Sequence, residues 1–273
     1  MKKLFGGITM GWKKVILFSI ITGIYTAVVN LIPFLQDTSF QDIAINPEAW
    51  ILFAMIIIMN CETRGEAVIK TFVFFLISQP LIYLIEAVFG PVGFGVFQYY
   101  KYWFIITLLT IPGAAIAFQV KKKGLLGALS LSVAVGFLGY MAVTYYRSLR
   151  LGFPNHLLSM IFCIVLAVTM IIMFIDELKL RLLSAIVLVA ATVISLIVTK
   201  PILTYEIALP GGDWSYEAED NGVVQIKKNQ PDSFTVQALD GGTTLITFTN
   251  EKGETKEYYA TVSGNGIYIN EME

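Results

Sequence analysis

The amino-acid sequence predicts an all-α polytopic membrane bundle of about seven transmembrane helices followed by a small all-β sandwich. Hydrophobic residues make up 56% of the 273 residues and charged residues 14%, a composition typical of membrane proteins. Seven long apolar stretches lie between Val15 and Thr199, and about 20 apolar residues in a helix can cross the hydrocarbon of a bilayer. After Lys200-Pro201 the composition becomes polar, acidic and rich in glycine turns. We therefore expect a membrane domain at 1–200 and a second domain at 201–273.

The apolar stretches define the predicted spans. They are Val15–Leu35, Pro47–Asn60, Ala67–Phe89, Tyr102–Val120, Leu125–Tyr146, Leu157–Ile175 and Leu182–Thr199. The second is short for an upright crossing. We include it because Trp50 marks one membrane interface and the polar Asn60-Cys61-Glu62 the other. If it does not cross, the orientation of every later span is reversed.

Basic residues are distributed unevenly between alternate connections. One set of connections holds 11: Lys2, Lys3, Lys13, Lys14, Arg64, Lys70, Lys121, Lys122, Lys123, Lys179 and Arg181. The other set holds four: Lys101, Arg147, Arg150 and Lys200. Cytoplasmic loops are the ones that retain Lys and Arg during insertion. This predicts a cytoplasmic N-terminus and a tail outside the plasma membrane.

The tail has the pattern of an antiparallel β-domain that begins near Leu203. Apolar and polar residues alternate in four runs, Val223–Ile226, Phe234–Leu239, Thr243–Thr249 and Glu257–Val262, as in half-buried strands. Turn signals separate the runs: Gly211-Gly212, Asn221-Gly222, Asp240-Gly241-Gly242, Lys252-Gly253 and Gly264-Asn265-Gly266. About six or seven short strands at this spacing predict a small sandwich.

One part of the tail also resembles a known family. The order Gly222-Val223-Val224, Phe234–Ala238, the Gly241-Gly242 turn with its Thr-rich strand, and a closing Tyr259–Val262 is similar to bacterial immunoglobulin-like domains of the Big type. The resemblance covers about the last quarter of the chain. It implies an immunoglobulin-like sandwich outside a bacterial plasma membrane that contacts cell-wall components or a partner protein, without catalytic residues.

Charge and missing motifs narrow the chemistry. The tail carries 4 basic and 12 acidic residues, a net charge of −8, which gives no support for a nucleic-acid partner. His156 is the single histidine, so a metalloprotease-type helix with two histidines is excluded. The sequence also lacks a Walker loop and a dinucleotide fingerprint. We therefore expect no metal and no cofactor, and an enzymatic activity has no support.

The third predicted span carries the polar residues of greatest interest. Gln79-Pro80 lies near its midpoint, and Tyr83 and Glu86 follow Gln79 at four and seven positions, so the three polar side chains share one helical face. Pro80 lacks a backbone N–H and is expected to break the helix. Broken helices with polar groups on one face form solute sites in transporters.

The Pro112-Gly113 pair repeats this pattern in the fourth span. The candidate ligand-binding residues are therefore Gln79, Tyr83, Glu86, Pro112 and Gly113. A structural interpretation stays open, because prolines occur in ordinary membrane helices, Glu86 could lie at the wet boundary and Gln79 could bond a neighbouring helix.

Two functions from different classes follow from these observations. The first is a non-enzymatic membrane protein that displays the immunoglobulin-like module, with membrane lipid and other membrane or cell-wall components as partners. The alternative is a small-solute permease, or a substrate-binding membrane subunit, with its site at the broken third helix.

Overall fold

The computed structural model describes residues 5–122, 124–151, 153–198, 203–263 and 266–272. The N-terminal part is helical and the C-terminal part is all-β. The helices are α1 (Trp12–Leu31), α2 (Ser39–Ile45), α3 (Pro47–Met59), α4 (Arg64–Phe89), α5 (Phe97–Ala117), α6 (Leu125–Leu151), α7 (Leu157–Phe174) and α8 (Leu178–Val198). Short 3₁₀ helices at Pro33–Leu35, Gly93–Val96 and Phe118–Lys121 follow α1 and flank α5.

Contacts divide the chain into two compact units. One contains Met1–Ala142 and Leu158–Ser195, and the other Val143–Leu157 and Leu196–Glu273. Several residues used in the sequence predictions lie outside the described residues, namely Lys2, Lys3, Lys123, the boundary at 199–202 and the Gly264-Asn265 turn.

Six of the described helices are long and apolar enough to cross a membrane, and the pair α2 and α3 is a seventh candidate. This confirms the prediction of a membrane protein, and the prediction of about seven spans is met if the bent pair counts as one span. The first span ends at Leu31 rather than at Leu35, because a residue before proline avoids helical geometry and Pro33 starts a separate 3₁₀ turn. The prediction also missed α2.

Aromatic packing joins α1, α3 and α4. Trp50 of α3 contacts Phe74 and Phe75 of α4, with ring centroids 5.9 and 5.4 Å apart, and Phe18 of α1 lies 5.0 Å from Phe74. Trp50, expected at a membrane interface, is only 2% exposed. It is therefore a packing residue inside the helical unit, and its indole N–H is satisfied by a backbone carbonyl rather than by water.

Seven strands form two antiparallel sheets. The strands are β1 (Thr204–Ala208), β2 (Trp214–Ala218), β3 (Val224–Gln230), β4 (Ser233–Ala238), β5 (Gly242–Asn250), β6 (Thr255–Ser263) and β7 (Gly266–Glu271). The sheet orders are β1-β4-β3 and β2-β5-β6-β7. Both sheets contribute to one apolar core, in which the rings of Phe234 and Phe248 lie 4.8 Å apart. This confirms the predicted all-β tail.

The turn between β5 and β6 illustrates how the sequence sets the hairpins. The side-chain oxygen of Asn250 accepts hydrogen bonds from the backbone N–H groups of Lys252 and Glu254, each at 2.9 Å. Gly253 has a φ of 78°, which glycine adopts without the steric cost of a Cβ. The Lys252-Gly253 signal therefore ends β5 where the sequence predicted a turn.

Candidate functional site

The predicted polar face of the third span lies on α4. Gln79 is 2% exposed, and its Nε2 has no hydrogen-bond partner among the described residues. Tyr83 is buried against α5, where its ring lies 5.5 Å from that of Tyr100 and 6.0 Å from that of Phe97. The three polar residues share one helix, but each meets a different environment.

Glu86 belongs to a chain of amide and carboxylate hydrogen bonds. The Nδ2 of Asn30 donates to Glu86 at 2.7 Å, and the Nε2 of Gln41 donates to the Oδ1 of Asn30 at 2.7 Å. The Oε1 of Gln41 in turn accepts from the backbone N–H of Asp37 at 2.8 Å. This series of hydrogen bonds connects the end of α1 with α2 and with the end of α4. Glu86 therefore has a structural partner on α1.

The expected helix breaks at Pro80 and Pro112 are absent from the described chain, because α4 and α5 run through both prolines. A membrane helix tolerates one missing N–H when neighbouring groups satisfy the freed carbonyl. Gly113 lines an apolar cleft together with Thr71, and Thr71 lies 15 residues before Glu86 on α4, about 22 Å at 1.5 Å per residue. The five predicted residues therefore do not form one site.

Among the described helices, the α2–α3 pair forms an interrupted candidate span. The two helices meet at an angle of 47°, and Asn46 between them is extended, with φ −84° and ψ 158°. Pro47 explains the interruption, because its ring disfavours helical geometry at Asn46 and it has no N–H to donate back into α2.

Two hydrogen bonds satisfy a carbonyl that the interruption leaves without its usual helical donor. The carbonyl oxygen of Ala44 accepts from Thr26 Oγ1 of α1 and from Trp50 Nε1 of α3, both at 3.2 Å. A regular helix would supply the N–H of Glu48 four residues later. Side chains of α1 and α3 thus stabilise the bend.

Two buried carboxylates lie on either side of the bend. Asp42 and Glu48 are both buried. The Oδ2 of Asp42 accepts from Ser159 Oγ of α7 at 2.8 Å, and the backbone N–H of Ser159 donates to Ser39 Oγ at 3.2 Å. Such carboxylates in a membrane segment bind protons or cations in many transporters. Across the described residues, no group of three or more His, Cys, Asp or Glu could hold a metal ion.

Sequence reasoning missed this polar centre, although its signals are visible. Asp42, Asn46-Pro47 and Glu48 stand together before an apolar run. The sequence prediction starts the second span at Pro47 and leaves Asp42 in the connection before it. The seryl partner Ser159 lies 117 residues away in sequence, and a single sequence gives no indication of that contact.

Described residues of the helical unit line a cleft and a second cavity. An apolar cleft of about 390 Å³ is bounded by residues of α3, α4, α5 and α6, with Trp50, Trp103 and Phe137 among its walls. A second cavity of about 450 Å³ lies where Phe5, Met59, Lys121 and Asp176 come together. The first is a candidate site for an apolar chain, and the second is lined by the segment before α1, the end of α3 and the α5–α6 and α7–α8 connections.

The β-domain has a polar groove at one end. Asp213, Tyr216, Lys228 and Asn250 line a cavity of about 440 Å³. The Nζ of Lys228 forms an ion pair with Asp213 and donates to the backbone carbonyl of Trp214. These contacts give Lys228 a structural role at the groove wall, so this groove alone does not indicate a reaction.

His156, the single histidine, stacks on Tyr145 with ring centroids 6.2 Å apart and an angle of 19° between the rings. This contact agrees with a structural role for the residue.

Comparison of the chain with models of protein families, with curated proteins and with solved structures finds no match.

Proposed function

We propose that this protein is a seven-span plasma-membrane protein that displays its β-domain on the extracytoplasmic side for contact with the cell envelope or a partner protein. The observation that carries the proposal is the position of the two ends of the α2–α3 pair. Gln41 of α2 bonds to Asn30 near the end of α1. Asn60, directly after α3, accepts from the backbone N–H of Ile8, before α1 begins.

These two contacts support a complete crossing by the bent pair. The pair extends from one end of α1 to the other, and α1 has 20 residues, about 30 Å, which is the thickness of the hydrocarbon. With seven crossings, the chain ends on the side opposite to its start. A single re-entrant loop would bring both ends of the pair to the same end of α1.

The basic connections support the direction. Lys70 donates to the backbone carbonyl of Met10, and Lys121 to that of Cys61. These residues belong to three of the connections that the charge distribution assigns to the cytoplasm, and they lie at one end of the helices. Since cytoplasmic loops retain Lys and Arg, this end is the inner one and the β-domain is outside.

The immunoglobulin-like character of the β-domain is part of the proposal. Counted along the chain, the pairings β2–β5 and β6–β7 correspond to B–E and F–G of the constant-type order. The pairings β1–β4, β3–β4 and β5–β6 differ from that order. A display role needs a closed core and exposed loops rather than one particular strand order. The two sheets share one apolar core, which meets the first of these needs.

Cysteine labelling of intact cells tests the topology. Lys252→Cys places a thiol in the exposed β5–β6 turn, and Lys122→Cys places one in an exposed connection at the predicted inner end. The native cysteines should not react with the label, because Cys61 and Cys163 are buried. Burial also raises the pKa of Cys61 to about 11. A membrane-impermeant maleimide should label Lys252→Cys in intact cells and Lys122→Cys only after lysis. The reverse pattern, or equal labelling of both, contradicts the proposal.

A permease is the second candidate, and Gln79 is the observation that favours it. A buried amide donor without a partner is costly in hydrocarbon, and a bound solute carrying an acceptor would satisfy it. Gln79→Leu should then remove solute-induced thermal stabilisation of the purified protein, while Glu86→Gln, whose residue has its own partner in Asn30, should reduce it less. Unchanged stabilisation in Gln79→Leu excludes this candidate.

A further inference from the structure

The four-stranded sheet of the β-domain carries two exposed tyrosine rings on its outer face. Alternate residues of its strands belong to the core, among them Ile246, Phe248 and Ala260, so the residues between them point outward. Tyr259 of β6 and Tyr268 of β7 are at outward positions and are 44% and 50% exposed. Neither side chain has a hydrogen-bond or aromatic-ring partner among the described residues. Both rings are therefore available to a ligand.

The strand register places these two rings beside each other. Tyr259 lies opposite Asn270, and Tyr268 lies opposite Thr261, so the two tyrosines are diagonal neighbours on adjacent strands. Diagonal neighbours in an antiparallel pair are about 7 to 8 Å apart, within reach of aromatic side chains. Leu245 of β5 lies opposite Tyr259 and continues the apolar line onto a third strand. We call Leu245, Tyr259 and Tyr268 the tyrosine strip.

Two carboxylates lie in the row of residues next to the tyrosine strip. Glu217 of β2 and Glu257 of β6 both lie opposite Thr247 of β5, which places their backbones about 9 to 10 Å apart at the usual spacing of strands. Glu257 precedes Tyr259 by two residues and therefore points to the same face. The outward positions of the four described strands hold no Lys or Arg. This face therefore attracts cations and repels anionic partners.

The other side chains around the strip suit a sugar. Thr247, Thr261 and Asn270 offer hydroxyl and amide groups on the same face. The C–H face of a pyranose ring packs on the negative π face of an aromatic ring, and an ammonium group is attracted both to that π face and to a carboxylate. Peptides are more often held at a free sheet edge or in an apolar groove, whereas this strip lies across the face of the sheet.

We propose that the tyrosine strip binds a glycan whose sugars carry free amino groups, with pyranose rings against Tyr259 and Tyr268 and an ammonium group beside Glu257. A neutral glycan would leave the two carboxylates unused. A glycan rich in phosphate would be repelled by them and by the net charge of −8 on the tail. This inference names a partner for the display role and rests on it, because the domain meets cell-envelope glycans only outside the membrane.

Two matched hexasaccharides test the inference on the purified full chain in detergent. The β-1,4-linked hexamer of glucosamine carries free amino groups, and its N-acetylated counterpart has the same sugar chain without the charge. Isothermal titration calorimetry at pH 6 should show about 3- to 30-fold tighter binding of the glucosamine hexamer. This range corresponds to one exposed cation–π contact and one exposed ion pair. Salt at 0.5 M should reduce the preference, because it screens exposed charges.

Substitutions on the strip separate the roles of ring and charge. Tyr268→Ala should weaken binding of both hexasaccharides, whereas Tyr268→Phe keeps the ring and should keep the binding. Glu257→Gln should remove most of the preference for the glucosamine hexamer and leave binding of the N-acetylated form unchanged. Tyr205→Ala and Glu206→Gln, at exposed residues of β1 in the other sheet, are the matched controls and should change neither.

Four results overturn the inference. They are equal binding of the two hexasaccharides by wild type, unchanged binding in Tyr268→Ala, an unchanged preference in Glu257→Gln, and tighter binding of a hexalysine peptide than of the glucosamine hexamer. Because the protein is purified, these results do not depend on its orientation in cells. Cysteine labelling that places the β-domain inside would contradict the display role, whereas an outside domain without glycan binding would contradict this inference alone.

Discussion

The helical part and the β-domain both have apolar cores, but they differ in the polar residues they bury and in the apolar residues they expose. The described helices bury Asp42, Glu48 and Gln79 while Val133 and Ile186 are exposed at 69% and 64%. The β-domain buries Phe234, Phe248 and Ile246, and Thr244 is the polar residue among its buried ones in the described range. Large apolar side chains therefore lie both inside and outside the helical part, whereas in the β-domain they lie mainly inside.

This difference shows how the surroundings decide which interaction holds a region together. In water, burial of apolar surface is the main stabilising contribution. Between helices in hydrocarbon, close packing and hydrogen bonds take that role, because lipid chains are as apolar as leucine. Mutations should therefore affect the two regions by different mechanisms, and four substitutions test this.

The largest effect is expected in the β-domain. Phe234 is fully buried, and its ring also contacts that of Tyr216 at 5.7 Å. Phe234→Ala should lower the free energy of unfolding of this domain by about 3 to 5 kcal/mol, because it removes apolar contacts and leaves a cavity. Pulse proteolysis of the full chain in urea, followed at the tail, measures the change. Tyr268→Ala, at a residue that is half exposed, should change it by less than about 0.5 kcal/mol. A matching loss of stability in the helices would contradict the comparison.

Close packing of α6 on α8 gives the next effect. A Cβ on Gly139 would lie 2.9 Å from Thr192 Oγ1 and 3.3 Å from the carbonyl oxygen of Leu188. Gly139→Ala should therefore destabilise the helices by about 1 to 3 kcal/mol. A Cβ on Gly136 would meet its nearest atoms at 3.7 Å, an ordinary contact, so Gly136→Ala is the matched control. Thermal unfolding in detergent, followed by a thiol-reactive dye on the buried cysteines, measures both. Equal melting temperatures would show that this contact is not tight.

A polar contact between helices should contribute less. Ser159→Ala removes the hydrogen bond to Asp42 and should cost about 1 kcal/mol, the usual size for such bonds in proteins and membranes. Ser130→Ala, which removes only a bond within α6 to Leu126, should cost less. The same dye assay measures both. If Ser130→Ala costs as much as Ser159→Ala, the contact between α2 and α7 adds nothing beyond a local helix bond.

The smallest effect concerns an exposed ion pair between β6 and β7. A hydrogen bond from Lys256 lowers the pKa of Glu271 below its ordinary value of 4.5. The pair therefore stabilises the domain above that ordinary value, and its contribution is lost as the pH falls through the lowered pKa. Glu271→Gln should show a small loss of stability at pH 7 that decreases as the pH falls toward 2, measured by urea unfolding of the tail. Because both residues are exposed, 0.5 M salt should shrink the difference at pH 7. A difference that persists at pH 2 would assign the loss to packing instead.

Regular patterns made most of the architecture predictable from the sequence. An apolar run such as Leu157–Phe174 is expected to form a helix across a bilayer. In the tail, alternating apolar and polar residues on either side of a glycine turn predicted the hairpin around Gly253. The prediction failed at Pro80, because a proline lowers helix stability locally but neighbouring helices decide whether the helix continues.

The contacts that polar residues make between helices were less predictable, for a different reason. Gln79, Tyr83 and Glu86 were chosen because they share a helix face, yet their partners lie on different helices, Tyr100 on α5 and Asn30 on α1. Helical spacing describes neighbours on one helix and gives no information about contacts between helices. The Asp42–Ser159 contact depends on tertiary packing alone.

The bend at Asn46-Pro47 has a consequence for the order of biosynthesis. Asp42 leaves the ribosome 117 residues before Ser159, its donor on α7. A nascent chain that ends before α7 holds this carboxylate without that donor, so the hydrogen bond between α2 and α7 forms only after α7 has been translated. Completion of this early segment is therefore a late event in membrane insertion.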